Sequence, residues 1–356
     1  MSFFGASRNQ TTATAEVKDL EVVDPPDDSI SCIAFCSTAD ILAVASWNNE
    51  VRLYDVGSNG ETRPKAMYKH DGPVLDICWS KDGSRLFSAG ADKAVRAFDM
   101  STGQNNQVAA HDAPVSCVRW IEAPSGGVIA TGSWDKTVKY WDTKSSTPVA
   151  SLDLPERCYV MDVVYPLLVV GTAERHILIV NLTQPTTIFK QMPSPLKWQT
   201  RAIACFPAAN GFAVGSIEGR VAIQYIEDKD VALNFSFKCH RKDSTPPSKD
   251  NTLVFAVNAI CFHQEHGTFT TAGSDGTISS WDKDSKIRLK SDIRQSWGPV
   301  VSTTYNHTGT IFAYAVAYDW SKGYTGMASG MMNKVFLHAC KDEEVKKRPK
   351  VNATTK

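Results

Sequence analysis

His70, Ser88 and Asp92 follow one another as a base, a hydroxyl and an acid, and the same order returns as His111, Thr131 and Asp135. In a hydrolase such a set activates the hydroxyl as a nucleophile, with the acid fixing the imidazole tautomer. The repetition argues for different chemistry. A reaction needs such a site once, whereas a network that holds a sheet together is needed in each unit that carries it. The second set closes on an indole, Trp141, and the first on Phe98 at the same place. The expected role is structural. The acid caps a turn and bonds the histidine, while the hydroxyl and the indole N–H complete the network, leaving no buried polar group unpaired. The chain has no G-x-S-x-G elbow, no phosphate-cradling glycine loop before a helix and no H-E-x-x-H. No catalytic residue, metal or cofactor is expected.

A second group of residues points to binding. Arg157, Lys197, Arg201, Arg220, Lys238 and Arg241 lie in short strings that also hold Tyr159 and Trp198. Arginine beside aromatic side chains is the composition of an interface hot spot, and guanidinium groups clamp carboxylates through two parallel hydrogen bonds. The expected surface is a composite basic face for an acidic partner. Trp47 and Trp134 each precede a turn residue at equivalent positions and are expected to be partly exposed at that face.

The elements that position these residues recur. Aligned on the Asp135 position, the chain gives ASWNNEVRLYD (Asn48), AGADKAVRAFD (Asp92), GSWDKTVKYWD (Asp135), GTAERHILIVN (Glu174), GSIEGRVAIQY (Glu218) and AGSDGTISSWD (Asp275), at steps of 44, 43, 39, 44 and 57 residues. A step of about 40–45 residues is the length of one four-stranded propeller blade. The long step contains a polar, Pro-bearing insert, 240–251, expected as a loop. Apolar strand pairs joined by Asp-Gly, Asn-Gly or His-Gly turns precede the anchors, as in hairpins. No helical period persists. A seventh unit takes strands from 299–305, 310–317 and 334–338 and lacks a fourth, which Asp19–Val23 can supply. Pairing the two chain ends removes the open edge. The prediction is an all-β, seven-bladed propeller over 19–340, between a disordered Ser/Thr/Ala-rich arm (1–18) and a charged, disordered tail (341–356).

Composition sets limits. In 356 residues Lys+Arg and Asp+Glu are both 38, so no bulk field draws nucleic acid or membrane. The opening residues lack the pattern of a signal peptide, and no apolar run approaches the ~18 residues of a membrane span. A soluble chain is expected. Nine cysteines, several inside apolar runs, read as buried thiols of a reducing compartment, and Cys32 and Cys36 have no second pair to complete a zinc site. The Asn181, Asn306 and Asn352 triplets then carry no glycosylation signal. KKRPK (346–350) is a candidate nuclear address or a solubilising tail.

The repeat identifies the WD40 class. The longer strings PERCY (155–159), SPLKWQTR (194–201), EGRVAI (218–223), FKCHR (237–241) and GSDGTISSWDKD (273–284) resemble those of the WD-repeat mRNA-export factors of the nuclear pore. They also resemble the related mitotic-checkpoint propellers that bind checkpoint kinases at kinetochores. AYDWSKGY (317–324), the opening MSFFG and PPDDSI favour the export factors. The likeness spans about 28–349. It implies a non-catalytic scaffold that shuttles between the nucleus, its pores and the cytoplasm. The implied partners are the mRNA-export machinery, a phenylalanine-glycine nucleoporin carrying the glutamate-bearing GLEBS segment, and, weakly, single-stranded RNA. Matched to the family motifs, Arg201, Arg220, Lys238 and Arg241 meet the glutamates and Trp47 and Trp134 lie on the same face. The insert 321–333 offers no motif to transfer.

Overall fold

Alternating strands joined by tight turns leave one apolar face per blade side to bury, and a ring buries both sides of every blade. The structure, a computed structural model, describes residues 19–124, 126–145, 147–243, 252–290, 298–328 and 330–348. The arm 1–18 and the end of the tail, 349–356, lie outside them. Seven four-stranded antiparallel sheets are present. Their first strands are Ile30–Phe35, Val74–Trp79, Val115–Ala123, Cys158–Val164, Thr200–Cys205, Val257–Phe262 and Val300–Tyr305. Each first strand packs against the next, and the seventh packs against the first, which closes the ring around a channel. Seven apolar clusters fill the seams, each drawn from two neighbouring blades.

Blade seven is built from both ends of the chain. Its third strand, Lys334–Ala339, pairs with Leu20–Glu21 in the register Leu20 to Leu337 and Glu21 to Phe336. The two-residue outer strand is held further by Val22 N–H, which donates to Val335 O at 2.9 Å.

The anchor position explains why the repeat keeps an Asp or Asn. Lys93 and Lys136 adopt left-handed backbone (φ 68° each), and Gly219 and Gly276 do the same (φ 62° and 75°). In the Asp and Asn blades the side chain before that residue accepts from the N–H two positions on. Asp135 Oδ1 takes Thr137 N–H at 3.0 Å, and Asn48 Oδ1 takes Glu50 N–H at 3.0 Å. This side-chain turn holds the strained residue in place.

Two boundaries differ from the sequence expectation. Within the 240–251 insert, Arg241–Asp243 pairs with Thr252–Val254 as a two-stranded ribbon rather than a loop, because Lys242 and Leu253 face each other in register. The tail is not wholly solvated either. Asp342–Val345 forms one helical turn with Glu344 and Val345 buried, since His338 offers the Glu344 carboxylate a partner inside the fold.

Candidate functional site

The polar networks come first, because they decide which polar groups remain for partners. In blade three His111 Nδ1 lies 2.8 Å from Asp135 Oδ2 and Nε2 lies 2.7 Å from Thr131 Oγ1, while Trp141 Nε1–H donates to the same oxygen at 2.9 Å. Burial pushes the His111 pKa down more than Asp135 raises it, which keeps the ring neutral. Nδ1–H then donates to Asp135, and Nε2 accepts the Thr131 hydroxyl. Blade two has the same contacts from His70 to Asp92 (3.0 Å) and Ser88 (2.7 Å). There the phenol of Tyr68 donates to Ser88 Oγ at 2.9 Å, in the role the indole plays in blade three, and Tyr68 stacks on Phe98. Blade six holds a third network that the sequence pattern did not reveal. His240 Nδ1 lies 2.9 Å from Asp275 Oδ1, His240 Nε2 lies 2.9 Å from Thr271 Oγ1, and Trp281 Nε1–H donates to Thr271 at 3.0 Å. These groups satisfy one another inside the sheets.

At the channel mouth a cavity of about 500 Å³ brings together Trp47, Trp134, Arg157, Tyr159 and Arg201, with Trp320 beside them. Trp47 and Trp134 sit where the second strands of blades one and three run into their turns. Their N–H groups donate to Ser29 O (2.9 Å) and Pro114 O (3.0 Å). Trp134 is 41% exposed. Trp47 stacks on Trp320 with ring centroids 4.1 Å apart. Trp320 was not singled out from sequence. It lies in AYDWSKGY, its backbone is left-handed (φ 58°), and its buried Nε1–H has no partner among the described residues. A bulky residue held in that conformation costs of order 1–3 kcal/mol, and such strain concentrates where ligands are gripped. Arg201 donates through Nη2 to Asp319 O at 2.7 Å. Burial lowers its pKa while Asp319 opposes the shift, so a charged guanidinium sits in a partly dehydrated pocket. Arg157 lies 5.9 Å from the Tyr159 ring and pairs with Glu156.

The other basic residues form a separate corner at the top of blade five. Arg220 and Lys238 stand directly opposite across the last strand pair. Like charges so placed repel and favour an anion between them. Among the described residues Arg220 is otherwise held only by a 3.3 Å contact to Ser236 Oγ. Arg241 is spent on the turn below, donating to Glu218 O at 2.9 Å and Gly219 O at 3.3 Å. Lys197 contributes its backbone N–H to Glu218 (3.3 Å), and its neighbour Trp198 is exposed. Of the basic residues expected to form one face, Arg157 and Arg201 line the cavity, and Arg220, Lys238 and Arg241 lie at the same end of blade five without lining it.

From that corner a further surface runs down between blades five and six. The Phe237 ring lies 4.4 Å from Trp281, and Phe235 and Phe237 share one face of their strand with centroids 6.1 Å apart. Cations cover these rings: Lys286 is 4.9 Å from Phe235, Arg288 5.8 Å from Trp281, and Lys283 4.8 Å from Phe206 and 5.4 Å from Tyr225. In FSFKCHR (235–241) the sequence signal for this surface is the alternation of Phe235 and Phe237, not the charges. Among the described residues no group of three or more His, Cys, Asp or Glu side chains is placed to hold a metal ion, and no helix is long and apolar enough to cross a membrane.

Residues 33–123 match the family described as the anaphase-promoting complex subunit 4 WD40 domain, and 249–282 match the WD domain, G-beta repeat. Over 354 residues the chain is 52% identical to a Poly(A)+ RNA export protein of Schizosaccharomyces pombe, covering 98% of this chain and 99% of that one. It is 50% identical to the mRNA export factor GLE2 of Chaetomium thermophilum, at 98% coverage of both. It is 46% identical to Protein Rae1 of Drosophila melanogaster, covering 98% of this chain and all of that one (100%). With seven antiparallel blades, repeat matches and relatives alike from end to end, the chain belongs to the WD40-propeller family of mRNA export factors.

Proposed function

We infer that this propeller serves mRNA export by binding, with no reaction of its own, at the nuclear pore and in passage between nucleus and cytoplasm. The top face takes a GLEBS-type nucleoporin segment. One glutamate of that segment enters the channel mouth at Arg201, between Trp47 and Trp134, and further carboxylates reach Arg220 and Lys238, with Arg241 bracing the turn beneath them. The observation that carries this reading is the channel mouth, where tryptophans wall a cavity around a partly buried guanidinium. Such a pocket suits one desolvated carboxylate, and breaking that kind of pair costs roughly 2–5 kcal/mol. Calorimetric titration with a GLEBS peptide tests it. Arg201→Glu abolishes measurable binding and Arg220→Glu weakens it. Unchanged affinity in both variants overturns the assignment.

The edge between blades five and six favours a second ligand, single-stranded RNA. Half-buried rings bordered by cations suit a phosphate chain, and bases can stack on the rings where a long cationic side chain swings aside, with little sequence preference. The export names of the relatives favour this pairing over a kinetochore role. Nuclear accumulation of polyadenylated RNA on depletion supports export, and checkpoint loss with normal export supports the alternative.

A further inference from the structure

The C-terminal segment is fastened to blades six and seven at several points. Glu344 Oε2 is reached by His338 Nε2 at 2.9 Å and by the Lys341 N–H at 3.0 Å. Thr268 Oγ1 donates to Val345 O, and Arg348 Nη2 donates to Leu289 O at 2.6 Å. Lys347 pairs with Asp284. Two consecutive cations, Lys347 and Arg348, are thereby set against the outer part of blade six, while Lys346 turns back onto Asp342. Arg288, next to Leu289 in the outermost strand, is one of the cations lying on the aromatic edge. Asp284 is the joint between the two regions. One of its oxygens takes Lys347 and the other takes Lys283, the cation that lies over Phe206 and Tyr225.

We propose that Lys347 and Arg348 belong to the RNA-binding surface, continuing the track of Arg288, Lys286 and Lys283 onto the lower rim of the propeller. The proposal rests on the preceding assignment of the blade five to six edge to single-stranded RNA. The helical turn 342–345 does not touch the ligand; it is the clasp that holds the basic segment in line. A docked cation meets a phosphate at lower entropic cost than one on a loose tail, because its backbone is already ordered. Asp284 works against the phosphates by sharing its charge between Lys283 and Lys347.

The test uses the full chain and a labelled oligouridylate of about 15 nucleotides, long enough to pass beyond one ligand-binding module. Affinity is read by fluorescence anisotropy across a potassium chloride series. Lys347→Gln with Arg348→Gln leaves the His338–Glu344 and Thr268–Val345 contacts in place. It weakens binding about fivefold or more and lowers the slope of log affinity against log salt by ~1.4, or ~0.7 for each phosphate no longer neutralised. Asp284→Asn releases both lysines and tightens binding about threefold, a gain that damage to the fold does not produce. Wild-type affinity and slope in both variants overturn the proposal. Lys286→Gln with Arg288→Gln separates it from the assignment beneath it. If that pair binds as the wild type does, the edge is not an RNA surface. If it loses binding while the Lys347/Arg348 and Asp284 variants do not change, the edge stands and the C-terminal part falls.

Discussion

Blades three and four are neighbours, share one apolar cluster, and solve the same packing problem in opposite ways. Blade three places His111, Thr131 and Trp141 in its interior and satisfies all three. Blade four has Leu154, Val170 and Val180 at the corresponding positions, all buried within the shared cluster. The backbone is the same at the entry point: His111 N–H donates to Lys93 O at 3.0 Å and Leu154 N–H donates to Lys136 O at 2.8 Å. A complete network and a complete apolar replacement both stabilise a blade, and a partial network is the arrangement that costs. The difference also bears on function. The Asp135 carboxylate is consumed by His111, Thr137 and the N–H of Asp112, whereas the degenerate blade five has no such network to feed and turns Arg220 and Lys238 outward.

This comparison breaks most easily at Thr131. Thr131→Val keeps the volume but strands the Trp141 N–H and His111 Nε2, and should cost about 3 kcal/mol in urea unfolding. A loss under about 1 kcal/mol means the network is not the staple described. The reverse change, Val170→Thr, puts a hydroxyl among aliphatic side chains in blade four and should cost roughly 1–2 kcal/mol. A neutral or stabilising result there would show that blade four is not a finished apolar design. Of comparable size is the effect expected at His338, whose environment acts opposite to those of His70 and His111. His338 bridges Asp19 at 2.8 Å and Glu344 at 2.9 Å. Burial pulls its pKa down, but the two carboxylates outweigh burial and hold it up at about 9. A raised folded-state pKa contributes stability that is complete below the unfolded value of ~6.5 and is lost as pH climbs through about 9. Of order 2 kcal/mol should therefore disappear across that window, and His338→Gln should flatten this part of the profile. Equal slopes in both proteins refute the clasp. The smallest effect is expected at Gln224, the blade-five counterpart of Trp141, whose amide donates to the neighbouring Ile223 O at 2.9 Å and accepts a long 3.5 Å contact from Asn234. Gln224→Leu leaves Ser194 as the remaining polar residue at these positions of the blade and should change the unfolding free energy by no more than about 0.5 kcal/mol.

The seven-unit ring was legible in the sequence because an acid or Asn at the turn after an apolar hairpin marks six blades, from Asn48 to Asp275, and the remaining strands suffice for a seventh. The closing strand was legible because blade seven ran out of chain. The third network was not. His70 and His111 precede their acids by 22 and 24 residues, but His240 precedes Asp275 by 35, because the paired ribbon and its connection intervene. The stacking of Trp320 on Trp47 joins blades that are adjacent only after closure, so no local spacing announces it. The different surroundings of the basic residues were equally hidden, since a strand's register decides that Arg220 meets Lys238 while Arg241 turns back onto carbonyl oxygens.

Lys334 and Glu21, ion-paired across the closing strands, are 313 residues apart in the chain. The ribosome releases Glu21 long before it makes Lys334. At about 5–20 residues per second the N-terminal strand must stay unpaired for roughly 15–60 s. During that time six blades can form as an open arc whose two end faces are bare. The molecule is thus exposed to chaperones and to misjoining with other nascent copies until its last residues emerge. A premature stop anywhere before blade seven's third strand leaves an arc that never becomes a ring.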